Sequence, residues 1–64
     1  MKITKATAKR ILKEAGAIRV SDPAASEFAR TLNNFAYSIA GKAAKLCAHA
    51  KRKTVEKSDI ELAK

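Results

Sequence analysis

Few side chains in this 64-residue sequence suit covalent chemistry. It holds one cysteine, Cys47, and one histidine, His49. Residues two apart on a helix point about 200° from each other, so this pair shares neither a metal ion nor a proton within one helix. Cys47 fits better as a small core residue. No Gly-rich phosphate loop of the nucleotide-binding kinds is present. These features argue against an enzyme, and no metal, cofactor or small-molecule substrate is expected. What remains is charge. Fourteen Lys and Arg against six Asp and Glu give +8 and a pI near 10.1. An excess this large predicts a polyanionic partner, through long-range attraction and counterion release.

The placement of that charge says more than its sum. Residues 1–19 hold six basic residues and one acid, and residues 42–57 again hold six and one. Between them, residues 20–41 hold only Arg30 against Asp22 and Glu27. Two basic clusters therefore flank a near-neutral middle. That middle has the pattern of one long helix, Asp22 to Ala50. Ala25, Phe28, Leu32, Phe35, Ile39, Ala43, Leu46 and Ala50 recur in steps of three and four, which stacks them on one side. Ala29, Ala36, Ala40 and Cys47 widen that side. A helix of roughly 27 residues is about 40 Å long, more than a compact chain of this size covers usefully. It reads as a spine that needs a partner chain.

The flanking elements are short. Met1 to Ala15 reads as an amphipathic helix with Thr4 as N-cap and a narrow apolar stripe of Ala8, Ile11, Leu12 and Ala15. Gly16 suits the position after the helix end, where a left-handed conformation is common. Residues 17–21 form a loop with a brief extended piece. Asp22 is expected to cap the long helix, with Pro23 at its first helical position. Lys51 to Val55 form a second basic loop. A last helix runs to Ala63, starting near Glu56 or, if Ser58 and Glu61 make a capping box, later. Gly41 reads either as a tolerated weak spot or as a close backbone approach. Tyr37 is an exposed aromatic or a partner contact, and Asn33 and Asn34 are expected to face solvent.

The sequence forms one domain at most, all-α, and residues 1–64 are read as that domain. Small domains of this size often need disulfides, metal or oligomerisation. A lone cysteine and the absence of a metal cluster leave oligomerisation. No signal peptide and no run of 18 apolar residues is present, so a cytoplasmic protein is expected. The alanine-rich apolar face lacks Trp and does not suit a membrane surface.

The chain resembles the archaeal histones, the minimal tail-less histone fold, over essentially its whole length. The resemblance is carried by Ala15-Gly16-Ala17 with Arg19-Val20-Ser21-Asp22 at the first loop. It is carried equally by His49-Ala50, Arg52-Lys53-Thr54 and Asp59-Ile60-Glu61-Leu62-Ala63. The family implies a handshake dimer in which two long helices cross and the first loop of one chain lies beside the second loop of the other. Ile18-Arg19-Val20 and Thr54-Val55 would pair there. The two basic clusters would merge into one edge on a dimer of +16, twice the chain's +8.

The resemblance also assigns roles. Arg19 matches the arginine that histone folds insert into the inward-facing minor groove. Lys53 and Thr54 match a phosphate grip, and Arg10 and Lys13 match phosphate contacts of the first helix. Ser21 joins Arg19 at the DNA-facing start of the long helix. Arg52 and Asp59 match an ion pair tying the second loop to the last helix, which favours the helix start near Glu56. Leu46, His49, Asp59 and Leu62 match the surface through which dimers join into a four-helix bundle, with His49 bonding Asp59 of the next dimer. Gly16 would leave room between stacked turns of a longer assembly on chromosomal double-stranded DNA.

Departures from the family pattern are few. Lys51 stands where a small residue is common, and Asn33 and Asn34 stand where acids are common. The last helix reaches only Lys64, so fewer contacts are expected for the bundle. A homodimer is expected, with pairing to a paralogue as the variant. The rival reading is a histone-fold subunit that dimerises inside a larger DNA-associated complex. An RNA-binding reading lacks the stacking aromatics of single-strand platforms.

Overall fold

The computed structural model describes residues 2–64, so Met1, at the start of the first expected helix, lies outside it. Three helices follow one another, α1 (Lys5–Glu14), α2 (Asp22–His49) and α3 (Lys57–Ala63), with no strand among the described residues. This is the helix order of a histone fold. The chain divides into two compact units, the first running to Asn34 and the second comprising Phe35–Lys64. α2 contributes its first half to one and its second half to the other.

In the first unit, α1 begins as its sequence requires. Thr4 is extended, and its Oγ1 accepts a hydrogen bond from the Thr7 N–H at 3.2 Å, which satisfies one of the unpaired first-turn donors. The helix closes with paired bonds from Gly16 N–H to the Lys13 carbonyl and from Ala17 N–H to the Leu12 carbonyl. This is a Schellman closure, and Gly16 adopts the positive φ of 122° that it needs.

The start of α2 differs from expectation by one residue. Ser21, not Asp22, is the cap. Its Oγ accepts from Ala24 N–H at 3.2 Å and its carbonyl from Ala25 N–H at 2.9 Å. Asp22 then occupies the first helical position and Pro23 the second. Pro23 costs nothing there, because first-turn N–H groups have no intrahelical partner in any case. Asp22 instead faces Lys5 at 3.8 Å.

Asn33 departs further. It is buried, at 6% exposure. Its Oδ1 accepts from the N–H groups of Lys2 and Ile3, and its Nδ2 donates to the carbonyls of Ile3 and Ala29, both at 2.8 Å. The side chain is a clamp that fixes the segment leading into α1. A polar residue on a helix looks solvent-facing until a neighbouring segment supplies its hydrogen-bond partners. Asn34 is exposed, as expected.

In the second unit, α2 ends as α1 does. Lys51 N–H bonds the Ala48 carbonyl, and Arg52 N–H bonds the Cys47 carbonyl. Here the left-handed position falls on Lys51, with φ 60°, where glycine is usual. Cys47 is buried, as read, and its Sγ lies 3.3 Å from the carbonyl oxygens of both Arg52 and Thr54. α3 starts early. Glu56 is its N-cap, and Asp59 Oδ2 accepts the Glu56 N–H at 2.8 Å. The start near Glu56, which the Arg52–Asp59 match favoured, is the one found, and the alternative capping box at Ser58 does not form because Ser58 lies inside the helix. A Cβ on Gly41 would meet nothing within 4 Å among the described residues, so none of them requires a glycine there.

The fully buried hydrophobic residues are Ala8, Ala25, Ala29, Ala43, Cys47 and Ala63. A buried methyl contributes about 0.8 kcal/mol, whereas ordering one residue's backbone costs about 1–2 kcal/mol. Five alanines and a cysteine cannot by themselves hold such a chain. The larger apolar groups of α2 remain uncovered or half covered: Phe35 is 64% exposed, and Phe28, Leu32, Ile39 and Leu46 are half-buried.

Candidate nucleic-acid interface and assembly face

The basic residues that sequence singled out for DNA are all at the surface. On α1, Lys9, Arg10 and Lys13 share one side and line a shallow groove of about 390 Å³ with Ala6 and Glu14. In the first loop, Arg19 is exposed and makes no ion pair among the described residues. The same holds for Lys53 in the second loop. Arg30, the one cation of the near-neutral middle, is committed to Glu27 on the next turn, and that carboxylate raises its pKa.

Two assigned residues have structural work of their own. Ser21 caps α2, so its hydroxyl holds a helix start as well as standing at the surface beside Arg19. Thr54 lends its backbone carbonyl to Arg52 Nη1 at 3.1 Å, while its side chain stays exposed. The second loop is thus held from within, by Cys47 Sγ and the Arg52 guanidinium, and Lys53 and Thr54 point outward from a fixed backbone. Neither loop forms a strand or bridge among the described residues. Ile18 is 91% exposed and Val55 47%.

The Arg52–Asp59 pair, expected from sequence, is present. Arg52 Nη2 meets Oδ1 at 2.6 Å, and Nη1 meets Oδ2 at 2.8 Å. This bidentate geometry is the strong form of the interaction. The Arg52 guanidinium and the Glu56 N–H hold the Asp59 carboxyl down at about 2, from an ordinary value near 3.8. The Arg52 pKa is raised in turn, chiefly by its bond to Asp59. Asp59 is 2% exposed. Three of its roughly four acceptor positions are filled, which leaves one on Oδ1.

Leu46, His49 and Leu62 come together. With Lys42, Lys45 and Ala63 they line a groove of about 390 Å³ between the end of α2 and α3. Asp59 is not in its lining, because its carboxylate is turned to Arg52. Leu62 is 74% exposed, high for a leucine on a seven-residue helix. Of the four residues that the resemblance assigned to the assembly surface, Leu46, His49 and Leu62 line this groove, and Lys42 and Lys45, which were not assigned to it, line it too.

The sequence that builds this long helix, two short ones and basic loops is similar to known proteins. Residues 1–63 match the family described as histone-like transcription factor (CBF/NF-Y) and archaeal histone. The chain belongs to this histone family. Relatives include a probable archaeal histone 3 of Methanocaldococcus jannaschii, 52% identical over 54 residues. Another is an archaeal histone of the HAN1 type from Thermococcus zilligii, 43% identical over 54 residues. Each alignment covers 84% of this chain and 81% of the relative. The three-helix order is therefore that of the histone fold, and the exposed cations belong to a DNA-binding chromatin protein. Histones form a structural DNA-binding family, and no helix among the described residues is long and apolar enough to cross a membrane.

Proposed function

We propose that residues 1–64 act as one histone-fold domain that homodimerises and bends and wraps double-stranded DNA with little regard to sequence. The observation that carries this reading is the mismatch between core and exposed apolar surface. The fully buried set is almost all alanine, while along one side of α2 Phe35 stands 64% exposed and Phe28, Leu32, Ile39 and Leu46 are only half-buried. A second α2 crossing the first would cover them, and the same crossing would bring each first loop beside the partner's second loop. Ile18-Arg19-Val20 could then pair with Thr54-Val55 as a short bridge, giving both exposed pieces a backbone partner.

In that dimer Arg19, Ser21, Lys53 and Thr54 form one DNA-facing patch per loop pair, and Arg10 and Lys13 of both chains form a third. Arg19 enters the narrowed minor groove, where negative potential is concentrated. Lys53, Arg10 and Lys13 neutralise phosphates, and Thr54 adds a hydroxyl. None of these groups reads base edges, so preference among sequences arises from how easily each bends. Dimers then join through Leu46, His49, Asp59 and Leu62 into a four-helix bundle. Gly16 needs its own φ, and open space beyond it leaves stacked turns unobstructed.

Replacing Arg19 or Lys53 by alanine tests the contact assignment. Each change should lower affinity on all DNA sequences alike and reduce the slope of log affinity against log salt by about one per lost phosphate contact. Titrations on several duplexes at graded salt read both quantities. A variant that changed sequence preference and kept its affinity would refute the assignment.

A further inference from the structure

Leu62 lines two grooves, and their charges are opposite. We propose that dimers of this chain align on one another by matching those charges, so that Lys42 and Lys45 of one dimer meet Glu56 and Glu61 of the next on either side of Leu62. The inference rests on the reading that this face joins dimers, and it adds what sets their register.

The groove between the end of α2 and α3 has Lys42, Lys45 and His49 around Leu46, Leu62 and Ala63. The second groove, of about 660 Å³, is lined by Glu56, Lys57, Ser58, Glu61 and Leu62. The two therefore meet at the Leu62 side chain. The first has no carboxylate in its lining, and the second has two carboxylates against one amine. Lys42 and Lys45, three residues apart, share one side of α2. Both are exposed, as is Glu56, and none of the three makes an ion pair among the described residues. Glu61 faces Lys64 at 3.4 Å, with both side chains more than half exposed. An exposed pair of that kind contributes too little to hold Glu61 back from another cation.

A two-fold contact brings together features from opposite sides of its axis. With Leu62 of both copies beside that axis, the basic groove of each copy falls on the acidic groove of the other. The patch is then complementary to itself, and a second copy is the occupant its charges fit. Burial of Leu46 and Leu62 holds the contact, while the charges select this register over those that set lysine against lysine.

Cooperativity on DNA tests the match. It is the affinity of a second dimer for a duplex with room for two, divided by the affinity of one dimer for a duplex with room for one. Gel shifts at moderate salt read both, and the division removes any direct contact of these lysines with DNA. The variants are K42Q/K45Q, E61Q and the three changes together. Lys, Glu and Gln have similar helix propensities, so the fold is retained, which circular dichroism checks. K42Q/K45Q should lower cooperativity about fivefold, although it removes two positive charges from the +8 of each chain and so relieves repulsion between dimers. E61Q should lower it about threefold. The three changes together should lower it no further than the lysine pair alone, because the groups that Glu61 meets are already gone. Cooperativity unchanged or raised in K42Q/K45Q, or effects that simply add, with L62A still reducing it, overturns the charge match and leaves the assembly face standing. Cooperativity unchanged in L62A as well overturns both.

Discussion

In the first unit a neutral amide holds the flanking segment, and in the second a charged pair does. Asn33 bonds the backbone of Lys2, Ile3 and Ala29 from a buried position on α2. Arg52 grips Asp59 with both guanidinium nitrogens and ties the second loop to α3. Both devices leave an exposed cation-bearing loop or helix beside them, α1 in one unit and the Lys53-Thr54 loop in the other. The chemistry decides how each responds to conditions. A neutral amide is indifferent to acid, whereas a carboxylate works only while ionised. The two helix closures show a second contrast. Gly16 and Lys51 fill the same left-handed position of the same motif, at φ 122° and 60°, and only glycine fills it without a steric cost.

The largest effect should come from Asp59→Ala. It removes both bonds to Arg52 and the acceptor for Glu56 N–H, and leaves a guanidinium without its anion. Amide exchange should show α3 losing protection before the rest of the chain. Acid should produce a milder form in the native protein. The Asp59 pKa is lowered on folding, so the stability it contributes is complete above about 3.8 and is lost as pH falls through about 2. In Asp59→Ala that dependence should be flattened. Retained α3 protection in the variant would break the comparison.

Asn33→Ala should come next, costing about 1–3 kcal/mol for the backbone groups it leaves unpaired. Chemical denaturation at fixed protein concentration reads it, since dimer stability depends on concentration. Its pH dependence should run parallel to the native protein's, which distinguishes the neutral clamp from the charged one. The smallest effects concern the closures, and they have opposite signs. Lys51→Gly should stabilise by about 0.5–1 kcal/mol, and Gly16→Ala should destabilise by about 1–2 kcal/mol. Equal signs would mean that the two left-handed positions are not equivalent.

Much of this was legible in the sequence, for physical reasons that also mark the limits. The long helix followed from its apolar period, and Thr4 and Gly16 marked the ends of α1 by local chemistry alone. Ser21 and Asp22 are both good caps in adjacent positions, so composition could not separate them. The Ser58-to-Glu61 pattern was a valid local alternative, and the earlier start prevails because Asp59, held by Arg52, accepts the Glu56 N–H. Asn33 was illegible because its partners on Lys2 and Ile3 lie about thirty residues away in sequence. Lys51 gave no signal, since lysine is not a left-handed residue by preference. Lys42 and Lys45 were legible as charges, but their shared groove with Leu62 needs α3 in place.

Nuclease digestion of DNA saturated with the protein at moderate salt tests the central claim most directly, that this chain wraps duplex DNA as a dimer that can be extended. Protected fragments growing in regular steps are expected, one step for each dimer added. The absence of any protected fragment would contradict the wrapping account.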